Sequence, residues 1–209
     1  MSTFYKERVV YQALERLDEE LFEMEVAPFE LNVIGGFALI LEGIRVRSDY
    51  TDIDYIGSRL PDKIREKIDE IGAEYGLGRG WINNDVLLSG SSLEEIQYCT
   101  GKLRFTHKFD LRVITINSLD LRDLLKMKVI AIDTSYMGIE LGGEFTRTKD
   151  FKDIQDIMEM LGFNMKDLVA LTREWVLCPE IYRFISYFNK TNDYDFMVNG
   201  KYKELLIKT

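Results

Sequence analysis

The sequence predicts an α/β (α+β) fold, in which a small mixed sheet flanked by helices is followed by a helical region. Three observations predict it. Between residues 1 and 117 the hydrophobic period switches repeatedly between helical and extended, and from 118 onward it is helical. A hydrophobic content of 46% with 12% aromatics is enough apolar material for a packed core. The prolines are few (28, 61 and 179) and no Ser/Gly-rich tract separates the parts, so the helical region 118–209 is expected to pack against the α/β core 1–117.

Taken in order, Phe4–Met24 reads as an amphipathic helix. Val9, Val10, Ala13, Leu14, Leu17 and Leu21 recur at helical spacing, and Pro28 stops the run. Leu31–Ile34 reads as a short buried strand ending at Gly35-Gly36, from which a helix runs over Phe37–Glu42. Asp52–Ile56 is a second strand. Pro61–Tyr75 is a helix that buries Ile64, Ile68 and Ile71, with Pro61 suited to its first position. Trp81–Ser89 fits a short strand, and Ser92 with Glu95 forms a capping-box pattern for a helical stretch through Tyr98. Across Lys102–Ile116 the residues Leu103, Phe105, His107, Phe109, Leu111 and Val113 alternate onto one face, which predicts an extended strand with a structural histidine. Helices follow over 119–132, 151–161, 165–175 and 179–188.

Composition excludes several classes of function. The 27 Lys+Arg against 36 Asp+Glu give a net charge of −9, which disfavours a broad phosphate-binding surface. A single histidine, His107, excludes sites built on two His ligands. Two cysteines, Cys99 and Cys178, exclude a disulfide scaffold and a Cys-rich zinc site. The longest apolar run, near 33–41, is about half the ~20 residues that a spanning helix needs. With no targeting signal at the N-terminus, a cytoplasmic protein without membrane contact is expected.

The chemistry concentrates between Val33 and Ile56. Asp52 and Asp54 are two apart on a strand and project side by side, which is unfavourable unless something cationic compensates them. A hard divalent ion with oxygen ligands is a natural compensator. Alone, Asp-x-Asp also describes a solvated strand end, and Gly35-Gly36 also describes a tight strand-to-helix turn. Together they make a phosphate cradle beside a metal anchor, which is most of what phosphoryl or nucleotidyl transfer requires.

Gly35-Gly36-x-Ala38-Leu39, an Arg at 45 or 47, and Thr51-Asp52-Ile-Asp54 resemble the core of the nucleotidyltransferase superfamily, in its abortive-infection (AbiEii-type) branch of minimal transferases. Leu124-Leu-Lys-Met-Lys128-Val-Ile-Ala131 is similar to the branch's Met-Lys-Leu-x-Ala helix. Arg147-Thr-Lys149-Asp150-Phe-Lys-Asp153-Ile resembles its later Arg…Lys-Asp-x-x-Asp segment, and Lys152-Asp153-Ile-Gln-Asp156 fits that motif in a second register. The resemblance implies a nucleotidyltransferase-type sheet and Mg²⁺ (or Mn²⁺) held by Asp52 and Asp54. It also implies transfer of a nucleoside monophosphate from an NTP to an acceptor, which is a nucleic-acid end, a protein or a small molecule. Gly35, Gly36, Arg47, Thr51, Lys128 and Lys149 are the expected nucleotide-side residues. A third carboxylate is expected on a later strand, with Asp110 the first candidate and Asp85 the second. The branch includes toxins of toxin–antitoxin pairs, so an antitoxin protein is an expected partner.

A competing expectation is a catalytically inactive module of the same fold that binds nucleotide or a protein partner. Lys128 sits in an apolar stretch, which fits pairing with an NTP phosphate, pairing with a structural Asp, or a lysine that snorkels to solvent. Trp175, Tyr182, Phe184, Tyr187, Phe188, Tyr194 and Phe196 are read as helical core rather than as a base-stacking platform.

Overall fold

The computed structural model describes residues 3–44, 52–84, 102–140 and 144–207. Arg45, Arg47, Thr51, Asp85, the capping-box stretch 92–98 and Cys99 lie outside the described residues. The chain divides into two compact units, Met1–Asp120 and Leu121–Thr209.

The first unit is mixed α/β. Its described elements are α1 (Thr3–Glu23), β1 (Phe29–Ile34), α2 (Gly35–Leu41), β2 (Ile53–Ile56), α3 (Asp62–Tyr75), β3 (Ile82–Asn83), β4 (Phe105–Asp110) and β5 (Ile114–Leu119). The strands form one sheet in the order β3-β2-β1-β5-β4. β1 runs antiparallel to β2 and parallel to β5, β2 and β3 are parallel, and β4 and β5 form an antiparallel pair. The alternation of residue types gives the sheet two unlike faces. Leu31, Val33, Ile53, Tyr55, Ile82, Ile114 and Ile116 share a buried face by register. Helices α1 and α3 pack on each other beside it, burying Leu14, Leu17 and Leu21 together with Ile64, Ile68 and Ile71. Tyr11 of α1 reaches Phe37 of α2, with ring centroids 5.7 Å apart.

The expected strand over Lys102–Ile116 is a hairpin instead. Its turn, at Leu111–Val113, is held from far away in sequence. The buried carboxylate of Asp18 on α1 accepts backbone N–H bonds from Arg112 (2.8 Å), Val113 (2.9 Å) and Ile114 (3.0 Å). A register shift between His107 and Phe109 breaks the single alternating row. His107 therefore leaves the apolar face that the alternation assigned to it, and its side chain is 56% exposed. Pro61 also sits one position outside the place expected for it, as the N-cap of α3.

The second unit is helical, with α4 (Leu121–Glu140), α5 (Thr148–Leu161), α6 (Met165–Thr172), α7 (Ile181–Thr191) and α8 (Tyr202–Ile207). The aromatic residues form its core. Phe184, Phe188 and Phe196 are fully buried, and Phe151 stacks on Phe188 with centroids 5.5 Å apart and meets Phe196 edge-on at 5.2 Å. Asn164 caps α6 through a capping box with Asp167. Among the described residues no helix is long and apolar enough to cross a membrane.

Candidate functional site

Two clusters, one in each unit, contain most of the described residues to which the sequence assigns chemistry. In the first unit the antiparallel register of β1 and β2 sets Ile34 opposite Asp54. The next residue, Gly35, begins α2 with φ +67°, a left-handed value that side chains beyond glycine rarely adopt. A Cβ built on Gly35 would lie 2.6 Å from Oδ2 of Asp54, closer than real contacts allow. The backbone conformation therefore favours glycine at this corner, and a Cβ there would also push the tip of the Asp54 carboxylate aside. Gly36, which is buried, follows in the first turn of α2.

Asp54 is half-buried. Asp52 is exposed just before β2, and fully buried Ile53 separates the two. The two acids thus flank Ile53, with Asp52 just before the strand and Asp54 within it. Among the described residues no three His, Cys, Asp or Glu side chains converge on a point that can hold a metal ion. The donor set is nonetheless the right kind for a hard cation, and the space that a Gly35 Cβ would fill lies against one of its oxygens. Asp52 and Asp54 are the residues that would hold Mg²⁺ or Mn²⁺.

The sheet does not bring Asp110 to this corner. Asp110 ends β4, the edge strand three places from β2, so about 14 Å of sheet lies between the two strands. Its carboxylate is engaged locally, accepting from Thr115 Oγ1 at 2.8 Å and lying 3.1 Å from His107 Nε2. Hydrogen bonds from Thr115 and then His107 hold its pKa below the usual Asp value.

In the second unit Lys128 is 8% exposed on α4. Its Nζ lies 2.6 Å from Oδ1 of Asp150 and 2.7 Å from Oδ2 of Asp153, both buried on α5. Residues 150 and 153 are one turn apart and share a helix face, so both carboxylates close on one ammonium. Burial opposes the charge on Lys128, but the two carboxylates outweigh burial and raise its pKa above the usual lysine value. This geometry separates the two registers of the Lys-Asp-x-x-Asp motif. Asp150 and Asp153 meet Lys128, whereas Lys152 pairs with Asp156 at 2.6 Å on a more exposed part of α5. Lys149 is half-buried in the first turn of α5.

Sequence reasoning missed a polar patch on the sheet face that carries Asp54. Glu30 and Asn32 have the opposite parity to Leu31 and Val33, and the parallel register sets Asn117 beside Asn32. The Asn117 amide donates to Asn32 Oδ1 at 3.0 Å and to Glu30 Oε2 at 3.2 Å. The signal was available, because Glu30-Leu-Asn-Val alternates and the strand begins at Phe29. No protein-family model, curated protein or solved structure matches this chain.

Proposed function

We propose that the chain is a metal-dependent nucleotidyltransferase that moves a nucleoside monophosphate from an NTP to an acceptor. The reading rests on one observation above all: the Gly-Gly turn and the Asp-x-Asp strand, 17 residues apart, meet with Gly35 directly against the Asp54 carboxylate. A second contact supports it, since Lys128 and the Asp150/Asp153 pair come from the two later motif segments and meet side chain to side chain.

In this reading Asp52 and Asp54 hold the divalent ion, which when bound neutralises phosphate charge during transfer. Two protein carboxylates with the rest of the shell from substrate phosphates is an ordinary arrangement for Mg²⁺. Gly35 and Gly36 keep side-chain bulk away from the strand-to-helix turn, so phosphate oxygens can approach the backbone. Lys128 fixes the orientation of Asp150 and Asp153 through two charge-assisted bonds. A toxin role, with an antitoxin protein as partner, is the biological setting that the resemblance suggests.

The test is label transfer from each α-labelled NTP, with Mg²⁺ or Mn²⁺, to RNA ends, to protein or to a small-molecule acceptor. Transfer is expected for the native chain and should fall about 100-fold or more in Asp54→Asn. NTP binding that Asp54→Asn leaves unchanged, with no transfer to any acceptor, would establish the inactive binding module instead.

A further inference from the structure

A cavity of about 320 Å³ opens in the first unit beside β3, lined by Tyr55, Arg59, Arg65, Asp69, Arg79 and Asn83 among others. Three arginines around one cavity are unexpected in a chain of net charge −9. Only Asp69 opposes them in the lining, and its Oδ1 already accepts the Gly80 N–H at 2.8 Å. The arginines outnumber the acid in the wall even though Arg65 is also paired with Asp62.

Each arginine is mounted on a braced position. Arg59 lies in a short loop held at both ends by the Tyr55 hydroxyl, which donates to the Ser58 carbonyl at 3.4 Å and accepts from the Leu60 N–H at 3.3 Å. Arg79 stands between Gly78 and Gly80, at φ +86° and +65°, and the Asp69–Gly80 bond pins that turn to α3. Arg65 projects from α3. One terminal nitrogen pairs with Asp62, while its Nε is buried with no hydrogen-bond partner. Among the described residues Arg59 and Arg79 make neither an ion pair nor a side-chain hydrogen bond. An orphaned buried N–H costs stability unless something accepts from it, and planar guanidinium forks match tetrahedral oxyanions. The volume is at the scale of small-ligand sites.

We infer that this cavity is a binding site for a phosphate group, held by Arg59, Arg65 and Arg79. The inference stands independently of the transferase reading, because none of the three arginines belongs to the Gly35–Asp54 corner. The phosphate has two conceivable sources: the polyphosphate of an NTP, or a phosphomonoester on a second substrate.

The experiment is calorimetric titration of the full chain with inorganic pyrophosphate, phenyl phosphate, ATP and adenosine, at fixed salt. Pyrophosphate is expected to bind. Its affinity should fall about tenfold in Arg79→Ala and further in Arg59→Ala/Arg79→Ala, with the melting temperature unchanged because both side chains are exposed. Arg79→Lys, which keeps the charge and loses the fork, should fall between native and Arg79→Ala. If the source is an NTP, ATP loses affinity alongside pyrophosphate. If it is a second substrate, phenyl phosphate loses affinity while ATP does not. Pyrophosphate and phenyl phosphate that fail to bind, or that bind native and double-variant chains alike, would overturn the inference. Label transfer measured on the same double variant separates this result from the transferase reading, which Asp54→Asn tests.

Discussion

The two acidic clusters are built differently. In the helical unit Asp150 and Asp153 are buried and close on Lys128 within 2.7 Å, and Arg147 stands 3.8 Å from Oδ2 of Asp150, so two cations face the two carboxylates. In the sheet unit Asp52 is exposed and makes no ion pair among the described residues, and Asp54 is half-buried against Gly35. The first arrangement is an internal ion cluster that loses stability if its buried cation alone is removed. The second sets an exposed Asp52 and a half-buried Asp54 beside a turn without side-chain bulk at Gly35 and Gly36. Acidic residues of the same type thus serve structure in one unit and, in our reading, chemistry in the other.

The contrast can be broken most forcefully at Lys128. Lys128→Ala leaves two buried carboxylates without their buried cation and should cost about 3–5 kcal/mol, read by denaturant unfolding. Lys128→Met/Asp150→Asn/Asp153→Asn, which removes the charges together, should cost distinctly less. Equal losses in the two variants would mean that packing rather than charge holds this contact. Next comes Gly35→Ala, expected to cost roughly 1–3 kcal/mol for the positive φ and to displace the Asp54 carboxylate, so transfer should suffer more than stability.

A smaller effect is one of pH. The folded pKa of Lys128 is raised, so its contribution to stability is full below the ordinary lysine value of 10.5 and is lost as pH rises through the folded value. Melting curves above pH 10.5 should therefore fall more steeply for the native chain than for the triple variant. The smallest change expected is at Asp110. Asp110→Asn, at an exposed edge far from β2, should leave the melting temperature nearly unchanged and alter transfer by less than about twofold.

What the sequence made legible follows from how locally each feature is determined. Helices α1 and α3 were readable to within a residue or two, because their apolar periods are long and uninterrupted. The β4–β5 hairpin was not. Alternation continues straight through Leu111–Val113 without Gly or Pro, and the group that holds the turn, Asp18, lies 94 residues upstream of Arg112. Helix α4 also runs on to Glu140, beyond the expected end at Ile132. Asp133 and the residues after it look like a stop, yet the Asp133 side chain turns away to accept the Leu177 and Cys178 N–H groups at 2.9 Å. At the candidate site, the residue types of the Gly35–Asp54 corner were legible as motifs, but their contact depends on strand register. The arginine cavity was not legible, since residues 59, 65 and 79 lie on a loop, a helix and a second loop that only the fold brings together.

The central claim is that the Asp52/Asp54 strand beside Gly35 is a catalytic corner. Label transfer from α-labelled NTP, measured side by side for the native chain, Asp54→Asn and Asp110→Asn, tests it most directly. The account predicts metal-dependent transfer that Asp54→Asn reduces about 100-fold and Asp110→Asn leaves nearly intact. Equal transfer by the native chain and Asp54→Asn would contradict it.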